Sequence, residues 1–158
     1  MKRYLALILL LACTAAFSQA KKSTGADPWA GTWKLDTAKS KLQPPVPKEE
    51  TVTVDSVTKD SIKYTINGTG ADGKPYTVTF DGKAGTAAPE MVDGKEVAQV
   101  TYQMPSSHEL TGVSHGSDGS TSNIKITLSK DGKTSTLHEQ SKDAKGAAHE
   151  QTAVYTRQ

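Results

Sequence analysis

The chain of 158 residues has one cysteine, Cys13, and that residue lies in a leading segment whose pattern marks it for removal. Lys2 and Arg3 precede an apolar run from Leu5 to Leu11, which fades through Ala12 to Phe17. Ser18-Gln19-Ala20 then places small residues at the two positions a signal peptidase inspects, so residues 1–20 read as a secretory signal peptide. The run is too short to cross a bilayer as a helix, and no transmembrane span is expected in the mature protein. Cleavage near Ala20 leaves a chain without cysteine, which excludes a disulfide framework despite an oxidising compartment. An excess of positive charge is lacking too. Beyond residue 20, 17 basic residues face 17 acidic ones, so the apparent basicity belongs to the leader and a nucleic-acid partner is not expected. Large apolar side chains are scarce: Leu, Ile, Val and Phe supply 20 of residues 21–158, below the ~20% at which disorder becomes a live alternative.

Helical patterning is also missing. No stretch of ten residues carries a 3.6-residue apolar stripe, and Thr37–Leu42 offers at most one short turn before the extended connector Pro44-Pro45-Val46-Pro47. There is no phosphate loop, dinucleotide fingerprint, Cys-x-x-Cys pair or EF-hand loop, so no cofactor is expected and catalysis has no evident seat. An alternative address remains at the leader. Leu10-Leu11-Ala12-Cys13 is a loose lipobox, and its use would leave a lipoprotein anchored through an acylated Cys13.

What the chain does contain is alternation. After a loose, small and polar leader at 21–28, short runs with period-two apolar spacing begin at Gly31. They cover Gly31–Leu35, Glu50–Val57, Ser61–Asn67, Pro75–Asp81, Glu96–Gln103, His108–Val113, Asn123–Leu128, Thr134–Gln140 and Ala147–Thr156. Asn67-Gly68, Asp72-Gly73, Asp81-Gly82, Asp93-Gly94, Asp118-Gly119 and Asp131-Gly132 supply hairpin turn chemistry among them. The alternation is sharpest at Ile62, Tyr64, Ile66, at Tyr76, Val78, Phe80 and at Ile124, Ile126, Leu128. Period two over many short runs predicts antiparallel strands with one face inward, and this orders the few apolar residues well enough to build a core. Tight consecutive hairpins favour an all-β, up-and-down meander of about 8–10 strands closed into a barrel over residues 29–158.

Gly31-Thr32-Trp33 matches the Gly-x-Trp signature of lipocalin-like barrels, the calycin superfamily. The longer string Gly31–Leu42, GTWKLDTAKSKL, resembles the opening of small secreted lipocalin-like proteins of bacteria, as do Ser129–Thr134 and Ala153-Val154-Tyr155. The resemblance implies that Trp33 packs at the closed end of the barrel beneath a basic residue of the last strand. Arg157 is the only arginine after residue 20 and occupies that place. The mature chain is shorter than typical lipocalins and lacks their usual disulfide, so the size of the pocket does not follow from the resemblance.

The function expected on these grounds is binding of a small apolar molecule in the interior of a monomeric barrel. The candidate ligand-binding residues are Tyr64, Tyr76, Phe80, Tyr102, Leu110, Ile126 and Leu137, with Ile66, Val78 and Val100 beside them on the inward face. A filled barrel acting as an envelope interaction module is the alternative. Tyr155 reads as an outward aromatic, too isolated to make a carbohydrate platform. Gly112-Val113-Ser114-His115-Gly116 is formally a Gly-x-Ser-x-Gly motif, with Asp131 and His138 following in hydrolase order. A nucleophile elbow needs a helix after the serine, whereas turn residues and another strand follow, so no enzyme is expected. A last hairpin turning between Asp143 and Ala144 would set His138 opposite His149, a weak candidate metal pair. Asn67-Gly68-Thr69 is a glycosylation sequon by composition but overlaps an expected turn.

Overall fold

Where the sequence alternates apolar and polar side chains, the chain is extended and paired. The computed structural model describes residues 27–158; the leader, Cys13 and the cleavage site lie outside them. Ten strands follow in order: β1 (Gly31–Leu35), β2 (Glu49–Val57), β3 (Ile62–Thr69), β4 (Pro75–Gly82), β5 (Ala88–Val92), β6 (Lys95–Ser106), β7 (Glu109–Gly116), β8 (Thr121–Leu128), β9 (Thr134–Lys142) and β10 (Ala148–Arg157). Each strand pairs antiparallel with its successor, and β1 pairs with β10. The sheet thereby closes on itself and leaves no free edge. Among the described residues there is no helix, and the fold is an all-β, lipocalin-like meander barrel.

Closure is helped where β1 runs out. β1 covers only three residues of β10, and the segment after it takes over the remaining edge. Asp36 N–H donates to Val154 O, the Ser40 hydroxyl accepts from Val154 N–H, and Lys41 bridges Thr152. The expected short turn at 37–42 is thus an edge cover that satisfies backbone groups β1 cannot reach.

Four of the six turn dipeptides do turn: Gly73, Gly94, Gly119 and Gly132 all have positive φ, as hairpin turns demand. The other two do not. Asn67-Gly68 lies inside β3, and the reversal comes at Gly70–Lys74. Gly68 serves a different purpose, because Tyr76 opposite lays its ring over it; an ideal Cβ at Gly68 would stand 2.5 Å from that ring. Asp81-Gly82 ends β4 rather than turning, and the chain reverses at residues 83–87 instead.

That reversal makes room for β5, which carries no apolar alternation and contains Pro89. Pro89 lies beyond the last β4–β5 pair, Phe80 with Glu90, and pairs only with Gln99 of β6, so on its β4 side it occupies an edge position where proline is tolerated. The last hairpin also differs from expectation. Its turn spans Asp143–Ala147, with Asp143 N–H donating to Ala147 O, and the register pairs His138 with Thr152.

One end of the barrel is closed by two tryptophans. Trp33 is 2% exposed and donates its indole N–H to Trp29 O at 2.9 Å. Trp29 in turn donates to Ser107 O at 2.9 Å in the β6–β7 turn. Asp27 fastens this crossing segment by accepting from Trp29 N–H and Val57 N–H. Arg157 lies 4.3 Å from the Trp33 ring centroid and donates to the carbonyls of Pro28, Ala30 and Gly132. Gly31, at φ 137°, leaves the space: a Cβ there would come within 2.8 Å of the guanidinium. The closed-end arrangement implied by the resemblance is therefore present, with the glycine of Gly-x-Trp serving the arginine.

Arg157→Ala is expected to lower stability by about 2 kcal/mol, since it removes a cation–π contact and strands three carbonyls. Denaturant midpoints check this; an unshifted midpoint would mean the guanidinium is merely solvated.

Candidate functional site

The inward residues of this barrel are too few and too small to fill it. Above the Trp29–Trp33 floor lies a cavity of about 220 Å³. That is roughly seven water volumes at ~30 Å³ each, enough for a compact molecule.

Its walls are mainly apolar. Val52, Val54 and Val57 come from β2, Ile66 from β3, Leu110 from β7, Ile124 and Ile126 from β8, and Leu137 from β9. The period-two spacing explains why each strand contributes alternate residues and keeps the intervening ones in solvent.

Five of the seven ligand-binding candidates line the cavity: Tyr64, Tyr102, Leu110, Ile126 and Leu137. Phe80 does not. It is 2% exposed and sits behind the wall, stacked on Tyr64 at 5.5 Å and edge-on to Tyr102 at 5.1 Å. Tyr76 does not line the cavity either; its hydroxyl donates to Glu50. Tyr155, expected to face outward, points inward instead, lines the cavity and donates to the same Glu50 at 2.6 Å. Its partner across the sheet is Ser135, which is buried, and this places both on the inner face.

The polar part of the cavity is where sequence reasoning fell short. Tyr64 donates its hydroxyl to Glu90 Oε1 at 2.7 Å and lies 3.0 Å from the Tyr102 hydroxyl. Glu139 also lines the space, with Oε2 accepting from Gln151 Nε2 at 2.7 Å. Burial pushes the Glu90 carboxyl above the usual carboxylate range; the Tyr64 hydroxyl draws it back and the charge of Glu139 adds to the rise. Burial raises Tyr64 and Tyr102 well above ordinary phenols, and Glu90 nearby adds to both shifts. Tyr76 and Tyr155 are likewise held up by burial first and Glu50 second.

The direction at Glu90 gives a pH-dependent expectation. The folded state holds this proton more tightly than the unfolded chain does. Its contribution therefore favours folding below the unfolded carboxyl pKa of about 4.3 and is lost as pH rises through the higher folded value. Glu90→Gln is expected to raise the melting temperature at about pH 7–8 and to leave it unchanged below about pH 4. Thermal melts across that range check it; a variant less stable than the parent at neutral pH overturns it.

The other motifs do not assemble. Ser114 lies mid-strand in β7 and lines the cavity, while Asp131 is in a turn. His138 points out of the barrel, bonded through Nε2 to Glu150 Oε1 at 3.0 Å and through Nδ1 to Thr152 Oγ1 at 3.2 Å. His149 pairs with Ser141, and its Nε2 is 3.8 Å from Asp143, so the two histidines occupy opposite faces of the sheet. Among the described residues no three His, Cys, Asp or Glu groups come together as metal ligands.

No protein-family model matches the chain, and no curated protein matches it. Solved structures do. A fatty acid binding protein of Schistosoma mansoni, in complex with arachidonic acid, shares 16% identity over 83% of this chain and 96% of its own, with TM-score 0.54. Rv2717c of Mycobacterium tuberculosis shares 18% identity over 88% and 98%, with TM-score 0.52. A redesigned β-barrel shares 10% identity over 83% and 92%, with TM-score 0.51. At these identities the likeness is one of fold.

Proposed function

We propose that this protein is an exported, non-enzymatic carrier that holds one small, mainly apolar molecule inside its barrel. The observation that carries the reading is the cavity of about 220 Å³, walled by aliphatic side chains inside a closed sheet. Ligand sites are concave, largely apolar and furnished with a few placed polar groups, and this space has that composition. The Schistosoma mansoni barrel in complex with arachidonic acid supports the same use of the fold. A filled barrel serving only as an interaction module is disfavoured by the empty space. Closed pairing of all ten strands supports a monomer, since no strand edge is left to pair with a second copy. Export rests on the leader, with cleavage near Ala20 proposed and acylation of Cys13 as the alternative.

The test is mass spectrometry of the protein isolated from its own source, native against denatured. An excess in the native mass that disappears on denaturation is expected. No excess, from several preparations, would overturn the carrier reading, and the denatured mass separates a chain starting at Lys21 from one starting at acylated Cys13.

A further inference from the structure

The polar groups of the cavity have a direction. Tyr64 gives its only hydroxyl hydrogen to Glu90 Oε1, so in its contact with Tyr102 the Tyr102 hydroxyl must be the donor. Both phenolic hydrogens are then used, and the chain Tyr102 to Tyr64 to Glu90 ends on an acceptor. Among the described residues, Glu90 Oε2 and Glu139 Oε1 have no hydrogen-bond partner. Every fully buried side-chain polar atom among the described residues is partnered, so these two oxygens touch accessible space, and both residues line the cavity.

Among the described residues no Lys, Arg or His lines the same space. Arg157, the one arginine of the described residues, is committed to Trp33 and three carbonyls at the closed end. Besides the Ser114 and Ser135 hydroxyls, which can donate or accept, the interior offers acceptors and negative charge, and the charge asks for a cation. A carboxylate head would meet two like charges in a mainly apolar space, with no cation among the described residues to neutralise it. An ammonium head has three donors and no acceptor, the complement of what the wall presents.

We propose that the molecule carried is a compact apolar amine, bound as its ammonium form against Glu90 and Glu139; this rests on the carrier reading and names the class of its ligand. The volume confines it to about one aromatic ring with a short aminoalkyl chain, or an aliphatic chain of similar size. The aliphatic wall of Val52, Val54, Ile124 and Ile126 takes the hydrocarbon part.

The experiment uses the mature chain and three probes of matched size: 3-phenylpropylamine, 3-phenylpropan-1-ol and 3-phenylpropanoate, titrated calorimetrically at neutral pH. A charge-assisted hydrogen bond is worth about 1.5–3 kcal/mol, so the amine is expected to bind roughly tenfold to a hundredfold tighter than the alcohol, with the acid weakest. Glu90→Gln, an isostere that still accepts from Tyr64, is expected to remove most of that preference, weakening the amine far more than the alcohol. Glu139→Gln is expected to reduce it in part. Circular dichroism confirms that both variants are folded.

An alcohol or acid that binds as tightly as the amine overturns the amine assignment and leaves the carrier reading standing. So does an amine preference that survives both substitutions. If none of the three probes binds, this proposal falls, while a native mass excess would still uphold the carrier.

Discussion

Trp33→Ala is expected to destabilise the protein by about 3–5 kcal/mol, the range for deleting a large aromatic from a close-packed site. Trp33 is 2% exposed, and its loss removes three things together. The cation–π contact with Arg157 goes, the Trp29 carbonyl loses its indole donor, and the cavity loses part of its floor. Neighbouring strands cannot collapse into the space, because Trp33 pairs with Val52 on one side and Arg157 on the other and both ladders are fixed. Urea denaturation checks this. A loss under about 1 kcal/mol would sink the assignment of Trp33 as the closing residue. Trp33→Phe, which keeps the ring and loses the indole N–H, should recover about half of the deficit.

The second large effect is at Phe80, also 2% exposed. Phe80→Ala is expected to cost about 3–5 kcal/mol and, unlike Trp33→Ala, to act directly on the polar wall of the site. Phe80 backs the two phenols, stacked on Tyr64 with an interplanar angle of 16° and edge-on to Tyr102 at 89°. Those rings hold their hydroxyls in line toward Glu90, so removing the backing frees Tyr64 to tilt away from the carboxylate. Phe80→Leu conserves most of the volume and should cost less than about 1.5 kcal/mol in stability. Denaturation and probe titration on both variants separate the outcomes. Weakened binding in a folded Phe80→Leu protein marks ring geometry as the deciding factor. Unchanged binding there would show that Phe80 supplies volume alone.

Much of the architecture was legible because its signals are local. Alternation at Tyr64 and Ile66, at Val78 and Phe80, and at Ile124 and Ile126 specifies which face is inward from the residues themselves. Glycines at positive φ mark turns such as Asp72-Gly73 and Asp118-Gly119 through their own backbone freedom. The signal breaks down where a residue's reason lies on another strand. Gly68 looks like a turn glycine, and only Tyr76 across the sheet shows that it is there to receive a ring. β5 was invisible because Ala88-Pro89-Glu90 has neither β-branching nor alternation; it is a strand because β4 and β6 pair with it.

The candidate site divides along the same line. Leu110, Ile126 and Leu137 were identifiable as inward apolar residues, and they do line the cavity. Glu90 and Glu139 were not, since charged residues on a strand ordinarily face solvent and nothing local reverses that expectation. Tyr155 lies on the inner face, and the weak candidate pair His138–His149 does not form, because hairpin register depends on the length of the turn. The reversal spans Asp143–Ala147, which moves the pairing by three residues and separates the histidines onto opposite faces.

By itself, then, the sequence determined the class of the fold, the meander order and the inward apolar set, since each follows from periodicity, while the Trp33–Arg157 closure was what the family resemblance implied. Tertiary structure alone decided the register of the last hairpin, the existence of β5, and the two carboxyls turned into an apolar cavity. Those depend on cross-strand pairing and on where the closed sheet leaves space, and neither quantity is carried by any one stretch of chain.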